Sequence, residues 1–348
     1  MDDRLYLDHA ATTPVSKAAI TAMSDAFGRW ANPSSPHADG RAARAALEDA
    51  RKRICAALDW DGGMIFTSGA SEAIAIALGR SKAERILTSP IEHDAVLRVT
   101  PGRERLALDG RGKPLLPEQD MAGALVAIQH VNNETGVILP LERIAAAVRT
   151  AGGYLFADCA QSAGKLPLPD ADMIAISAHK FGGPPGIGAL LIRNLARIHP
   201  SGGQEQGYRA GTENLPAALA MAAALEEPFE WMEDAADLRQ TLDAAIVEAG
   251  GEVVAAASPR IATIASYRMP GVSARAQLIQ FDMAGISVSA GSACSSGTLK
   301  ASHVLTAMGW DEAAAGEVIR VSFGPSTGAA DIARFMDAWR KIAGSAPR

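Results

Sequence analysis

From residue 62 to residue 193, short apolar runs alternate with stretches of helical periodicity. The runs 64–67, 85–88, 124–131, 154–157, 173–177 and 189–192 have the length and composition of strands. Segments 71–78 and 141–150 read as helices between them. Strands apolar on both faces, with helices between, predict a mainly parallel sheet covered on two sides. Ligands of such sheets bind beyond the carboxyl ends of the strands, so the chemistry is expected in the residues that follow each run. Ahead of the sheet, 41–58 has the pattern of an amphipathic helix, with Leu47, Ile54 and Leu58 on one face and Arg44, Glu48 and Arg51 on the other. Past about Glu226 the texture changes. Long helices at 231–249, 274–284 and 330–342 alternate with strands near 261–267 and 318–322, which predicts a smaller α+β domain.

Composition removes alternatives. A chain of 348 residues suits two domains or one large α/β unit. Lys plus Arg number 33 against 39 Asp plus Glu, a net charge of -6, so no basic face for nucleic acid is expected. The longest apolar stretches, such as 215–225, fall short of a bilayer span, and no membrane association is expected. Met1-Asp2-Asp3-Arg4 has no apolar run behind it, so no signal peptide and a cytoplasmic location are expected. The three cysteines, Cys55, Cys159 and Cys294, neither pair evenly nor stand in C-x-x-C spacing, so neither a disulfide framework nor a metal site is expected.

The densest chemistry lies in Ser177-Ala178-His179-Lys180-Phe181-Gly182-Gly183-Pro184-Pro185-Gly186-Ile187-Gly188. A lysine at the end of a buried strand is desolvated, which lowers its pKa and frees the amine for a Schiff base. Ser177 and His179 precede it and could reach a phosphate on either side. Asp158, after Tyr154-Leu155-Phe156-Ala157 and three residues before Gln161, can pair with a protonated ring nitrogen of an electron-sink cofactor or cap the next turn. Phe66-Thr67-Ser68-Gly69-Ala70-Ser71-Glu72 reads as strand, glycine turn and helix start, either an anion site or an ordinary capping box. His93 follows another strand, as does Asn132-Asn133-Glu134-Thr135-Gly136, which fits a substrate amide or a plain turn. Cys294 sits in Ser289-Ala290-Gly291-Ser292-Ala293-Cys294-Ser295-Ser296-Gly297-Thr298, whose Gly and Ser content marks a solvent-reached loop. Cys55 and Cys159, in a helix and behind a strand, read as core residues.

Taken with Tyr6-Leu7-Asp8-His9-Ala10-Ala11-Thr12-Thr13-Pro14, Asn32-Pro33-Ser34-Ser35-Pro36-His37, Gly202-Gly203-Gln204-Glu205-Gln206-Gly207-Tyr208-Arg209-Ala210-Gly211-Thr212 and Arg320-Val321-Ser322-Phe323-Gly324, these segments resemble, in order, the cysteine desulfurases of the class V aminotransferase group. The resemblance runs from Tyr6 to Gly324. It implies a fold-type I pyridoxal-phosphate transferase, α/β, with a seven-stranded-type sheet in a large domain at 13–226. Residues 1–12 and 227–348 would form the small α+β domain carrying the Cys294 loop.

The resemblance also assigns roles. Lys180 is the expected Schiff-base lysine. Asp158 pairs with the pyridine nitrogen of pyridoxal 5'-phosphate, Gln161 with its ring hydroxyl, and His93 stacks over the ring. Ala70, Ser71, Ser177 and His179 form the phosphate cup, with Thr212 contributed by the other subunit of a homodimer. Asn133 and Arg320 contact the substrate carboxylate, a bidentate task suited to a guanidinium. Cys294 takes sulfur from L-cysteine as a persulfide, leaving L-alanine. The long form of its loop, followed by Ser302-His303-Val304-Leu305, resembles the group that supplies iron–sulfur cluster assembly, so the expected partner is a scaffold protein or other sulfur carrier. Departures from the group are His9 for the usual Asn, Ser71 for Thr, and Ala73-Ile74-Ala75-Ile76 for an Asn-containing run. The alternatives are another pyridoxal-phosphate lyase or aminotransferase of the same group, for instance one like selenocysteine lyase, and a non-catalytic partner protein of the same fold.

Overall fold

The computed structural model describes residues 4–28, 31–109, 111–117, 120–293, 299–300 and 302–344, with backbone alone at 292–293 and 299–300. Among these residues the central sheet has seven strands. They are β1 (Gly63–Thr67), β2 (Ile86–Thr88), β3 (Glu104–Arg105), β4 (Leu125–Gln129), β5 (Tyr154–Asp158), β6 (Met173–Ser177) and β7 (Gly188–Ile192). Their order across the sheet is β1-β7-β6-β5-β4-β2-β3. β6, β5, β4, β2 and β3 run parallel. β7 is antiparallel to both neighbours. The apolar run of β7 gives no hint of this reversal. Its cause is the connection: the few residues from Phe181 to Ile187 are too short for a crossover and can only turn back.

The apolar runs are buried on both faces. Met64, Phe66, Val126, Ile128, Leu155, Ile174 and Ile176 meet helices Ala38–Ala57, Leu141–Thr150 and Leu215–Leu225 on one side. Ile65, Leu125, Ala127, Phe156, Met173 and Ala175 meet Ala70–Gly79 and Asp94–Val99 on the other. This period-two division is what a two-sided parallel sheet requires. Leu215–Leu225 is apolar nearly all round, and it is enclosed between the sheet, Lys17–Phe27 and Ala38–Ala57. In Ala38–Ala57, Leu47, Ile54 and the adjoining Leu58 are buried as their spacing predicts. Arg51 departs from its expected solvent face. It turns inward over the Phe66 ring, 4.7 Å from the centroid, and pairs with Glu205.

A second core forms from both ends of the chain. Leu5, Leu7, Tyr267, Phe281, Phe335 and Trp339 pack together, with the Phe281 and Phe335 rings stacked at 4.9 Å. Ile264–Arg268 pairs with Val318–Ser322 and Glu252–Val253, and Leu5–Tyr6 runs parallel to Ile286–Ser287. The strand expected from residue 261 starts at Ile264, because the Ile261 N–H is drawn to the Gly136 carbonyl instead. No helix among the described residues is long and apolar enough to cross a membrane.

At the edge of the sheet where ligands are expected, Gly188 and Gly69 are in backbone contact. A Cβ on Gly188 would stand 2.4 Å from the Ile176 carbonyl oxygen and 2.6 Å from Gly69 Cα. Gly188→Ala is therefore expected to destabilise the fold by about 1–3 kcal/mol, because both neighbours are backbone and neither yields by a rotamer change. Denaturant unfolding measures it, and an unchanged midpoint would contradict the close approach.

Candidate active site

The ends of β1, β2, β4, β5 and β6 open on one cavity of about 610 Å³. The residues at and after the ends of these strands form its walls: Ser68 to Glu72, His93, Asn133, Asp158, Gln161, Ser177, His179 and Lys180. The N-terminal segment supplies Asp8, Ala10 and Ala11, and the C-terminal part of the chain supplies Ser289, Gly291, His303 and Arg320.

Lys180 ends a single 3-10 turn, Ala178–Lys180, directly after β6. Its Nζ donates to the carbonyls of Ala10 at 2.7 Å and Ala11 at 2.8 Å. The N-terminal segment is pinned over it, since Thr13 N–H donates to the His179 carbonyl and Thr13 Oγ1 to that of Lys180. Burial, aided by the Arg320 charge, brings the Lys180 amine down from 10.5 to about 8. That raises the neutral amine near pH 7 by roughly 300-fold over a free lysine.

Asp158, at the last position of β5, is buried and accepts one hydrogen bond, from Ala160 N–H at 3.0 Å. Burial raises its pKa, against the pull of that N–H and of His93 and Lys180. His93 caps helix Asp94–Val99, its Nδ1 accepting from Ala95 N–H at 3.1 Å. A neutral imidazole so held carries its proton on Nε2. Burial lowers the His93 pKa and favours that neutral form. Gln161 donates from Nε2 to the Ala10 carbonyl at 2.9 Å, which leaves its buried Oε1 without a partner.

Helix Ala70–Gly79 begins without a side-chain cap. The capping-box alternative requires a hydroxyl at the N-cap, but Gly69 holds that place with φ +150°, a conformation glycine adopts without strain. Glu72 instead accepts from Ser68 N–H and pairs with Arg209 at 3.1 Å. The first N–H groups, at Ala70 and Ser71, are left for an anion. Ser177 stands beside them, 3.3 Å from where a Gly69 Cβ would be. His179 is held to Thr12 Oγ1 at 3.2 Å, and burial together with Lys180 and Lys165 lowers its pKa to about 4.

On the far wall Arg320 donates from Nη1 to the Asn133 carbonyl at 2.9 Å and from Nη2 to Asp8 Oδ1 at 2.8 Å. The two asparagines divide the work. Asn132 Oδ1 accepts from Glu134 N–H, Thr135 N–H and Thr135 Oγ1, closing the turn, while Asn133 lines the cavity. Thr212 is exposed and does not line this chain's own cavity. Cys294 lies outside the described residues. The strands that flank it, Ser292–Ala293 and Leu299–Lys300, pair antiparallel. Cys159 is fully buried, and Cys55 is half-buried against Met64.

Sequence reasoning did not anticipate Asp8 or His303 in the cavity wall, nor Glu92 behind His93. Glu92 is buried beside His93, with Oε2 accepting from Gln129 N–H and Oε1 unpartnered, and burial raises its pKa well above the carboxylate range. His303 donates from Nε2 to the Glu92 carbonyl at 2.9 Å. The histidine in Ser302-His303 was a signal available in the sequence. No comparable signal marks Glu92.

The cavity has four features that one group fits: an amine of low pKa, a buried carboxyl held by a single backbone N–H, an amide oxygen without a donor, and an uncapped helix start. An aldehyde, a protonated ring nitrogen, a ring hydroxyl and a phosphate meet them in turn, which is the functional set of pyridoxal phosphate. Among the described residues no group of three or more His, Cys, Asp or Glu side chains could hold a metal ion.

The sheet order, with one antiparallel strand and a lysine closing β6, is the fold of type I pyridoxal-phosphate enzymes. Residues 5–335 match the aminotransferase class-V family, and the chain belongs to it. A cysteine desulfurase of Gluconacetobacter diazotrophicus is 35% identical over 370 residues, covering 96% of this chain and 92% of the relative. A solved NifS-like protein superposes with a TM-score of 0.87 at 30% identity, covering 98% of this chain and 99% of that one. SspA in complex with cysteine superposes with a TM-score of 0.79 at 29% identity, over 93% and 100% of the two chains.

Proposed function

We propose that this protein is a pyridoxal-phosphate-dependent cysteine desulfurase that turns L-cysteine into L-alanine and takes the sulfur onto Cys294 as a persulfide. The observation that carries the reading is the desolvated Lys180 amine at the end of β6, in one cavity with Asp158 and Arg320. Similarity along the whole chain to cysteine desulfurases supports the choice of reaction. The reaction balances without an outside oxidant: cysteine and the Cys294 thiol become alanine and the Cys294 persulfide, as one C–S bond breaks and one S–S bond forms.

Lys180, Asp158, Gln161, His93, Ala70, Ser71, Ser177 and His179 would hold the cofactor, which supplies an electron sink when bound. Lys180, neutral in a useful fraction near pH 8, takes a proton from the substrate α-carbon and returns one. His93 offers Nε2–H from a fixed ring. Asp158 would hold a proton at the ring nitrogen, its carboxylate form favoured there by the cation it would face. Arg320 and Asn133 orient the carboxylate, and orientation of this kind contributes as much as any proton transfer.

The same reading includes a large domain at 13–226 and a small one from 1–12 and 227–348, supported by their separate cores. It includes a homodimer in which Thr212 completes the neighbour's phosphate cup, supported by the exposure of Thr212 outside its own cavity. It places the protein in the cytoplasm, delivering sulfur to an iron–sulfur scaffold or another carrier.

Alanine and sulfide release from L-cysteine in the presence of a thiol reductant tests the reaction. Equal amounts are expected from the wild type, with both lost in Cys294→Ala while the cofactor colour stays. Bound cofactor without sulfide from the wild type, acceptors added, would sink the proposal.

A further inference from the structure

Asp8 stands in the cavity wall with its carboxylate on the Nη2 of Arg320, at 2.8 Å. The other end of that guanidinium fork, Nη1, is on the Asn133 carbonyl at 2.9 Å. Nε is buried and without a partner, closed off from the cavity. A carboxylate entering the cavity therefore reaches Arg320 only at its Nη end, and Asp8 is already there. Resting on the reading of Arg320 as the substrate carboxylate contact, we propose that Asp8 is a built-in stand-in for that carboxylate, displaced when an α-amino acid binds.

The backbone around Asp8 suits a side chain that swings while its strand stays. Asp8 bridges to Ser322 in parallel, and its carbonyl accepts from Ala11 N–H at 3.0 Å and from the Tyr6 hydroxyl at 3.1 Å. None of these contacts involves the carboxylate. The side chain of Asp8 is 20% exposed against 9% for Arg320, so the acid lies on the open side of the pair. The exchange also keeps the charge balance. Lys180 is affected by Arg320 in one direction and by Asp8 in the other, and an incoming carboxylate replaces the second influence. Asp8 thereby sets the threshold for ligands: an amine without a carboxylate does not displace it, and a carboxylate anchored by its own amine does.

Calorimetric titration of the holoenzyme with L-alanine, the proposed product, and with ethylamine tests this. Removing a partly exposed ion pair releases up to about 1 kcal/mol, so Asp8→Asn is expected to bind L-alanine about fivefold tighter. Ethylamine affinity should stay unchanged, and Asp8→Glu should return to the wild-type alanine value. Equal or weaker alanine binding by Asp8→Asn overturns the displacement and leaves Asp8 as a residue that merely orients Arg320. A crystal structure of the wild type with L-alanine tests the same point without a variant: the ligand carboxylate should sit on the Arg320 Nη atoms with Asp8 turned away, and an unbroken Asp8–Arg320 pair overturns it. No alanine binding by the folded wild-type holoenzyme would remove the amino-acid reading of the cavity, and this inference with it.

Discussion

Lys180→Ala is expected to lower alanine release from cysteine by at least about 10³-fold, since on the proposed reading it removes the amine that would bind the cofactor and move the α-proton. The expectation rests on geometry. The amine is held by two carbonyls of the N-terminal segment, beside Asp158, and among the described residues nothing else in the cavity combines a low pKa with that position. Arg98, a cation in the wall besides Lys180 and Arg320, is exposed and paired with Asp94 at 2.6 Å. A stability measurement separates lost chemistry from a lost fold. The Lys180 pKa falls from 10.5 in the open chain to about 8 in the folded one, so between these values the unfolded state binds more protons. Stability then rises with pH across that window, and the burial penalty on the charged amine is felt below it. The alanine variant lacks this contribution. In urea titrations of the cofactor-free proteins it should gain on the wild type as pH falls from about 10.5 to 8, the two curves running parallel outside the window. A variant that keeps a tenth of the wild-type rate would remove Lys180 from the mechanism.

The contrast between Lys180 and Asp8 shows which parts of the site were legible in the sequence. Lys180, Asp158, His93 and Asn133 each follow an apolar run, and the rule that chemistry sits at strand ends places them together from the sequence alone. Asp8 enters the cavity through a bridge to Ser322, more than three hundred residues away along the chain. No periodicity carries such a contact. The helix Leu215–Leu225 was seen only as an apolar stretch because it has no polar face, and a helix that is buried all round shows no period. The reversed β7 was hidden for a related reason. A strand buried on both faces looks the same in either direction, and only the length of the Phe181–Ile187 connection decides between them. The uncapped start of Ala70–Gly79 was obscured by a Ser and a Glu that suggested a cap. Packing of Gly69 against Gly188 assigned the N-cap to glycine.

A second large effect is expected far from Lys180, at Glu205. β1 is an edge strand, and the outward-facing groups of such a strand need covering. Glu205 accepts from Phe66 N–H at 2.8 Å, and Arg51 donates to the Met64 carbonyl at 2.7 Å. The two side chains then close on each other through two hydrogen bonds of 2.9 Å, so together they stand where a further strand would pair. Glu205 itself is held at φ +50° and Gln206 at +58°. Such conformations cost about 1–3 kcal/mol each and persist only where contacts enforce them. The side chains of Arg51 and Glu205 are 14% and 1% exposed, which makes this a largely buried pair. Glu205→Ala should therefore cost about 3–5 kcal/mol in denaturant unfolding, because Phe66 N–H loses its acceptor and the buried Arg51 keeps only the more exposed Glu48, at 3.0 Å. The double variant Arg51→Met with Glu205→Ala should recover part of that loss, because the buried charge left with Glu48 alone is gone while Met still covers Phe66. Losses that simply add would mean that the two side chains guard the strand edge independently. A smaller loss in the double variant than in Glu205→Ala would identify the pair as a single clasp that fixes the Gly202–Thr212 loop to β1.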